Sequence, residues 1–346
     1  MVGATLRVRK ARSVTIADIQ RPHPSPTPRI LESKPRPSDR IFRGIVALGG
    51  FSSLIILGLI AGYLFFRGFS ILQSEGLSFI TGYEWVSSIN SDGSEGAAQS
   101  TYGVGAMLIG TLVTAAIALV IGVPVSVFAA LYLTFFAPQR IKRVLVTVVD
   151  LMAAFPSILF GLWGLYVLME PGMYVAELLN KYLEWIPIFA VPVPVFLRSP
   201  FIAGLVLAVM IIPIVTAVSR EIFAQTPLDR IQAAYALGAS KWAMIKNVAF
   251  PYSYSGVVGG AMLGLGRAMG ETVAVFTVLN ILYQANFKIL LGAGGNLASH
   301  IILKFGEASE EEIKALMAAG FILFLMTLAV NMLANVIVNK TGRRGR

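Results

Sequence analysis

The chain has 346 residues, of which 56% are apolar and only 13% are charged. Soluble globular domains carry about 25% charged residues, so this composition excludes an ordinary soluble protein and indicates a membrane protein. The net charge of +10 is concentrated at the ends, with +7 in residues 1–43 and +4 in residues 339–346. Because the net positive charge lies in two tails, we expect the tails to fix membrane orientation and contact anionic lipid rather than nucleic acid.

The N-terminal segment 1–40 is basic and rich in proline, and it has too little apolar surface to form a core. We therefore expect a disordered cytoplasmic tail, followed by a membrane domain over 41–346. The apolar run after the tail is too long for a signal peptide, whose apolar region spans about 7–15 residues. The chain has no cysteine and two histidines, which excludes disulfides, thiol chemistry and a histidine metal cluster.

Six apolar runs follow the tail, each near or above the roughly 20 residues that cross a bilayer as a helix. We therefore predict an all-α membrane protein with six transmembrane helices. The predicted spans are 44–66, 103–133, 145–169, 200–219, 252–282 and 316–338.

The charges of the connecting loops give the orientation of these spans. The N-terminal tail, residues 134–144, residues 220–251 and the C-terminal tail carry an excess of basic residues, which predicts a cytoplasmic location. The segments 68–101, 170–199 and 283–315 carry more acidic than basic residues, which predicts the opposite side. Both termini are thus predicted to be cytoplasmic. Within the outer segments we expect short surface helices, one of them over 299–305.

The cytoplasmic segment 220–251 carries the most specific pattern in the chain. Its central residues 232–234 read QAA, Gly238 follows after three residues, and nine residues later comes an apolar-x-apolar-Pro sequence ending at Pro251. This spacing resembles the EAA loop of ABC importer permeases, which docks the ATPase subunits in that family. The resemblance implies an ATPase-coupling site, with glutamine in place of the usual glutamate. Its residues are Gln232, Ala233, Ala234, Gly238 and Pro251.

The residues themselves are compatible with such a loop. Residues 228–242 predict a short helix with an apolar side formed by Ile231, Ala234, Tyr235 and Leu237. Gly238 allows a left-handed turn or a close approach, and Pro251 fits the first turn of the next span. The alternative interpretation is an ordinary connection between two spans.

Three charged residues lie inside the predicted spans: Asp150, Arg267 and Glu271. A charge at the bilayer centre costs about 2.5–3.5 kcal/mol or more, so it should face protein or water. The four-residue spacing of Arg267 and Glu271 predicts that both side chains share one helical face. Two interpretations follow, a self-neutralising ion pair or the polar lining of a substrate path. The same run contains a seam of small residues that permits close helix contact, at Gly256, Gly260 and Gly264.

The nine residues 264–272 read GLGRAMGET and resemble the fifth-helix motif of phosphate importer permeases. Further matches lie at 155–157, 161–165, 213–214 and 219–221, so the similarity extends over roughly 100–340. The run 252–256 resembles the PstC-type subunit more than its PstA-type partner. The resemblance implies a fold like that of type I ABC importer permeases. It also implies assembly with a PstA-type permease, two ATPase subunits and an extracytoplasmic phosphate-binding protein, in the cytoplasmic membrane of a prokaryote.

The leading hypothesis is therefore a permease subunit of an ATP-driven phosphate importer, not itself an enzyme. The chain has no GxxxxGK[ST] phosphate-binding loop, so no cofactor is expected in it, and ATP and Mg²⁺ belong to the partner ATPase. Three alternatives stay open. They are a permease for another oxyanion such as sulfate or molybdate, an ion-coupled secondary carrier with Glu271 or Asp150 as a proton relay, and a membrane scaffold that senses phosphate for a signalling kinase.

Overall fold

The computed structural model describes residues 37–87 and 100–342, with the side chains of 337–342 excluded. The predicted tail therefore lies outside the described residues, except that 37–40 begin the first helix. The chain separates into two units, Met1–Ile56 and Leu57–Arg346. The described part of the first unit is the beginning of one helix, and the second unit contains every other described element.

The described residues are mostly helical. The helices are α1 Pro37–Glu75, α2 Ser78–Thr81, α3 Gly105–Phe136, α4 Gln139–Ala153, α5 Ser157–Leu183, α6 Pro200–Ala224, α7 Leu228–Ala236, α8 Lys241–Met244, α9 Phe250–Met269, α10 Val273–Val278, α11 Leu297–Phe305 and α12 Glu310–Gly342. Two short strands, β1 Trp85–Val86 and β2 Thr101–Tyr102, pair antiparallel. One-turn π-helical segments lie within α3 and α5, at 132–136 and 164–168, and a third joins α8 to α9 at 245–249.

Within the described residues, five helices are long and apolar enough to cross a membrane, namely α1, α3, α5, α6 and α12. Four of them correspond to the predicted runs 44–66, 103–133, 200–219 and 316–338. The two remaining runs differ from the prediction, each because a proline or glycine interrupts the helix.

The predicted third span, 145–169, is wrong in its position. Its first part belongs to α4, an amphipathic helix without a buried residue, which ends at Ala153. Pro156 has no N–H to donate and disfavours a helical backbone at Phe155, and the next helix begins at Ser157. The spanning helix is therefore α5, Ser157–Leu183, which extends well into the segment predicted as an outer loop.

The predicted fifth span, 252–282, is not one continuous helix. Helix α9 ends at Met269, the chain is non-helical from Gly270 to Thr272, and the short helix α10 follows. Non-helical backbone at membrane depth is tolerated where it is buried in protein or lines a water-filled cavity. The break therefore marks a position enclosed by other elements.

Helix α6 lies at the centre of the second unit, and 67% of its most apolar 18-residue stretch is buried. It packs against α3, α9, α4 and α10. Its contact with α9 follows the predicted glycine seam, because a Cβ on each of the three glycines would lie 2.6–3.1 Å from an α6 side chain. The prediction of close helix contact is confirmed. The paired residues are Gly256 with Ile222, Gly260 with Val218, and Gly264 with Val215.

Candidate functional site

The segment between α6 and α9 forms a helix, a tight turn and a second helix. Helix α7 begins after Pro227, whose fixed backbone suits a helix start, and ends before a left-handed turn at Gly238, where φ is +79°. Ser240 then caps α8 by accepting a hydrogen bond from the Ala243 backbone N–H at 3.2 Å. The left-handed turn at Gly238 is confirmed, whereas the helix predicted over 228–242 ends at Ala236 because that turn interrupts it.

Helix α7 has two different sides. Ile231 and Ala234 pack on a buried cluster formed by the ends of α3 and α6, by α8 with the π-helical turn that follows it, and by the first turns of α9. The other apolar residues predicted for that side are exposed, and Leu237 keeps 90% of its surface accessible. No residue of α7 is buried. The exposed side carries three large apolar or aromatic residues in or beside the motif: Leu228, Tyr235 and Leu237.

Four of the five motif residues lie on α7 and the turn that follows it, and the fifth, Pro251, lies in the first turn of α9. Gln232, Ala233 and Gly238 are exposed, and Ala234 is half-buried beneath them. The space where a Cβ of Gly238 would lie is empty, so its glycine serves the backbone angle rather than a contact within this chain.

Pro251 occupies the first turn of α9, as predicted, but the helical run begins earlier. Helix α8, the π-helical turn at 245–249 and α9 follow one another without a gap, so the run is continuous from Lys241 to Met269. A π-helical turn changes the hydrogen-bond register, which accommodates a proline that has no N–H to donate.

Arg267 and Glu271 do not share a helical face, because α9 ends between them. Arg267 lies half-buried in the last turn of α9, where a cation is favourable to the helix dipole. Glu271 lies in the break and is 7% exposed, and its Oε1 accepts a hydrogen bond from the Ala274 N–H at 3.2 Å. No ion pair joins Arg267 to Glu271 among the described side chains, so the self-neutralising pair is not formed.

The position of Arg267 along the membrane follows from the glycine seam. Gly264 packs on Ile211 and Val215, near the midpoint of α6, and Arg267 lies one turn further along α9. The arginine is therefore near the middle of the membrane-spanning structure, as expected from the sequence.

The break is held by neighbouring elements. The Ser299 hydroxyl of α11 donates to the Thr272 carbonyl at 2.8 Å. On the opposite side a Cβ on Gly161 of α5 would overlap Thr277 and Ala274 of α10, so these two helices are in direct contact. This explains one glycine of the matched segment 161–165.

Asp150 does not lie in any of the five helices of the described residues that are long and apolar enough to span the membrane. It lies on amphipathic α4, where its Oδ1 is 3.7 Å from Arg220 Nη2 of α6, and its side chain is 51% exposed. An exposed carboxylate in a surface ion pair does not have the enclosed environment of a proton relay.

The sequence did not indicate a buried polar cluster that lies at the opposite end of α6 from residues 220–251, the coupling segment. Trp85 Nε1 donates to Glu312 Oε1 at 2.8 Å, and the His300 ring lies against the rings of Trp85 and Tyr283. Burial, and then the charge of Lys304, lowers the pKa of His300 to about 4. Burial, and then Glu312, raises the pKa of Tyr283. The predicted surface helix at 299–305 is thus buried at its N-terminal half.

Comparison with known proteins identifies the family. The sequence profile of the binding-protein-dependent transport system inner membrane component matches residues 122–344. The phosphate transport system permease protein PstC 2 of Mycobacterium tuberculosis is 40% identical, covering 87% of this chain and 92% of that protein. The PstC permease of Xylella fastidiosa is 36% identical, covering 89% and 92%.

A solved structure shares the fold. One chain of a bacterial alginate ABC transporter, in complex with an alginate pentasaccharide-bound periplasmic protein, matches with a TM-score of 0.55 at 16% identity. The match covers 89% of this chain and 99% of that chain. The chain belongs to the family of inner membrane components of binding-protein-dependent transport systems, and within it to the PstC-type permeases, which makes it a multi-pass protein of the cytoplasmic membrane and a non-catalytic subunit.

Proposed function

We propose that this chain is the permease subunit of an ATP-driven importer of inorganic phosphate. The observation that carries the proposal is the 36–40% identity to phosphate transport permeases over about nine-tenths of both sequences. Identity of this extent includes the membrane interior, where a permease contacts its substrate. No feature of the described residues favours sulfate, molybdate, a proton relay at Glu271 or Asp150, or a signalling scaffold.

The proposed partners are a PstA-type permease, two ATPase subunits and an extracytoplasmic phosphate-binding protein. ATP and Mg²⁺ would be bound by the ATPase subunits. The exposed apolar side of α7, with Leu237 90% accessible, supports docking of an ATPase there. Apolar side chains at a helix–turn–helix tip outside the membrane are costly in water, and a partner surface would remove them from it.

The proposed coupling residues are Gln232, Ala233, Ala234, Gly238 and Pro251. Ala233, Ala234 and Gly238 have small side chains or none, so a partner can approach the backbone of the motif closely. The Gln232 side chain is uncharged, so docking of the ATPase at that position would depend on packing and on hydrogen bonds between neutral groups.

Arg267 and Glu271 are the proposed substrate-path residues. Arg267 presents a planar fork of donors that suits phosphate oxygens, and no described carboxylate neutralises it. Glu271 lies in the helix break, where its Oε1 accepts a hydrogen bond from the Ala274 N–H. The negative charge of Glu271, four residues after Arg267, would weaken the binding of an anion and so permit release.

The test is uptake by the assembled complex in proteoliposomes that contain ATP on the ATPase side. Radiolabelled phosphate, presented with its binding protein, should accumulate only when ATP and Mg²⁺ are present. Excess unlabelled phosphate should suppress the signal, and sulfate and molybdate should not. Uptake that needs a proton gradient and no ATP would overturn the proposal in favour of a secondary carrier.

A further inference from the structure

A cavity of about 380 Å³ lies at the end of the second unit opposite the coupling segment. Its volume is well above the ~30 Å³ that one water occupies in the liquid, so it has room for a hydrated small anion. Four parts of the fold form it: α5, the loop before α6, the end of α10 with the residues that follow, and α11. The lining residues are Leu165, Arg198, Phe276, Thr277, Leu279, Asn280, Ile281 and Leu303.

One charged side chain lines this cavity, that of Arg198, and no carboxylate does. Asn280 supplies an amide, the Thr277 hydroxyl donates to the Ala274 carbonyl at 2.8 Å, and the other walls are apolar. A few polar groups on apolar walls are typical of small-ligand sites. Arg198 and Asn280 are exposed, so an anion bound there would keep part of its hydration. The fixed positive charge selects an anion, and the guanidinium fork with an adjacent amide suits an oxyanion.

The backbone of Arg198 supports the same conclusion. Its φ of +53° makes it the one left-handed residue other than glycine in the part of the chain that the structure describes. The Arg198 carbonyl accepts a hydrogen bond from the Asn280 N–H at 3.2 Å, so two cavity-lining residues are tied together. The loop is held further by the Gly292 N–H, which donates to the Val195 carbonyl at 2.8 Å. Surrounding contacts thus impose an unfavourable conformation at the cavity's charged residue, a pattern typical of functional sites.

The cavity also lies on the route to Arg267. Pro200, the first residue of α6, is near Leu279 at the end of α10, since both approach Gly294. Helix α10 leads from there to the break that contains Glu271. Because α6 has 25 residues, its length of about 37 Å places Arg198 and the coupling segment at opposite membrane faces. From Pro200 to the level of Arg267 is about half that distance.

We infer that the cavity lined by Arg198, Thr277 and Asn280 is an entry site that binds the transported oxyanion before it reaches Arg267. This inference rests on the proposed function. The anion would exchange some hydration for the Arg198 fork and the Asn280 amide. It would then pass along α10 to the break beside Arg267.

The absence of cysteine from the chain allows a direct test by single-cysteine labelling. Arg198→Cys is assembled with partner subunits that carry no reactive cysteine. The variant is treated either with a trimethylammonium methanethiosulfonate, which returns a positive charge, or with a sulfonate methanethiosulfonate, which adds a negative one. Lys181→Cys is the matched control, because Lys181 is an exposed cation near the end of α5 on the same side. The readouts are phosphate uptake, labelling rate with and without phosphate, binding of the phosphate-binding protein, and ATPase association.

We expect Arg198→Cys to reduce uptake at low phosphate at least tenfold, with normal ATPase association and normal affinity for the binding protein. The cationic label should raise the uptake of Arg198→Cys several-fold, and the anionic label should not. Phosphate should slow the labelling reaction. Neither label should alter uptake in Lys181→Cys. Parent-level uptake in unlabelled Arg198→Cys, or equal effects of the two labels, would overturn the inference. Failure of the proposed function is distinguishable, since the unmodified parent would then show no ATP-dependent phosphate uptake.

Discussion

Replacing Gly238 by alanine is predicted to weaken ATPase docking through the backbone alone. Gly238 has φ of +79°, and a Cβ added there would contact nothing within 4 Å in this chain. The substitution therefore adds no clash and no charge. Its cost is the left-handed conformation itself, about 1–2 kcal/mol for a residue with a Cβ. If docking requires this turn, the affinity for the ATPase should fall by about 5–30-fold.

The chain contains a matched control at Gly76. This glycine also has a positive φ, of +58°, and open space where a Cβ would be, but it lies after α1 and outside the coupling segment. Gly76→Ala should therefore lower stability by a similar amount and leave docking unchanged. Gly238→Asn is the conservative variant, because asparagine tolerates the left-handed region better than alanine, and it should retain more affinity.

The assay is the affinity of purified ATPase subunits for the permease pair in lipid nanodiscs, measured together with phosphate uptake. Thermal unfolding of each variant reports the strain separately. The reasoning is refuted if Gly238→Ala and Gly76→Ala bind the ATPase equally well while both are destabilised. A close contact specific to Gly238 would instead make every side chain at that position, asparagine included, equally damaging.

Three further predictions concern the charges and the orientation. Arg267→Gln should lower phosphate uptake about 10–100-fold, because charge-assisted hydrogen bonds to the anion are lost. Arg267→Lys should also impair uptake, because lysine keeps the charge but lacks the planar fork. Robust uptake by the double variant Arg267→Gln with Glu271→Gln would show that neither residue belongs to the substrate path. Because the pKa of His300 is lowered to about 4, its neutral form is favoured by folding, so stability should be lost as pH falls below the unfolded value of about 6.5. Between pH 7 and pH 5 that loss should be about 2 kcal/mol, and His300→Gln should flatten the pH dependence of thermal unfolding; an unchanged profile would contradict the assignment. Reporter tags at both termini and at residue 240 should be cytoplasmic, and an outside location for residue 240 would be incompatible with ATPase docking.

The sequence predicted the coupling segment well because its determinants are local. The α7 helix, the left-handed turn at Gly238 and the proline at the start of α9 each depend on residues within a few positions of one another. The glycine seam of α9 was predicted for the same reason, since a four-residue repeat on one helix shows directly in the sequence.

The helix boundaries inside the apolar runs were harder to predict. Hydropathy averaged over a span does not register one glycine, so the end of α9 before Gly270 was missed, and with it the separation of Arg267 from Glu271. Pro156 is evident in the sequence, but because apolar residues lie on both sides of it, the end of α4 and the start of α5 were predicted as one continuous span.

The sites that depend on distant contacts could not be predicted from local pattern. Trp85 and Glu312 are 227 positions apart, and nothing near either residue in the sequence indicates the other. The left-handed backbone of Arg198 is fixed by Asn280 and by the loop around Gly292, about 80–95 positions later.

The continuous helical run from Lys241 to Met269 connects the coupling segment to Arg267 without a hinge, whereas the break at Gly270 separates Arg267 from α10. A displacement of α8 should therefore move Arg267 relative to Glu271, which is anchored by Ala274. Glycine at Lys246 and Asn247, both exposed in the π-helical turn, should loosen this run by roughly 0.3–0.7 kcal/mol each without removing buried contacts.

We expect this double variant to bind the ATPase normally and to transport less phosphate per ATP hydrolysed. The matched control places glycine at Thr147 and Val148, an exposed pair in α4, and should leave the ratio unchanged. Transport and ATP hydrolysis are measured in the same proteoliposomes. An unchanged ratio in the 246–247 variant would show that a rigid α8–α9 run does not carry the coupling, because flexibility at its midpoint would then have no effect on the movement of Arg267.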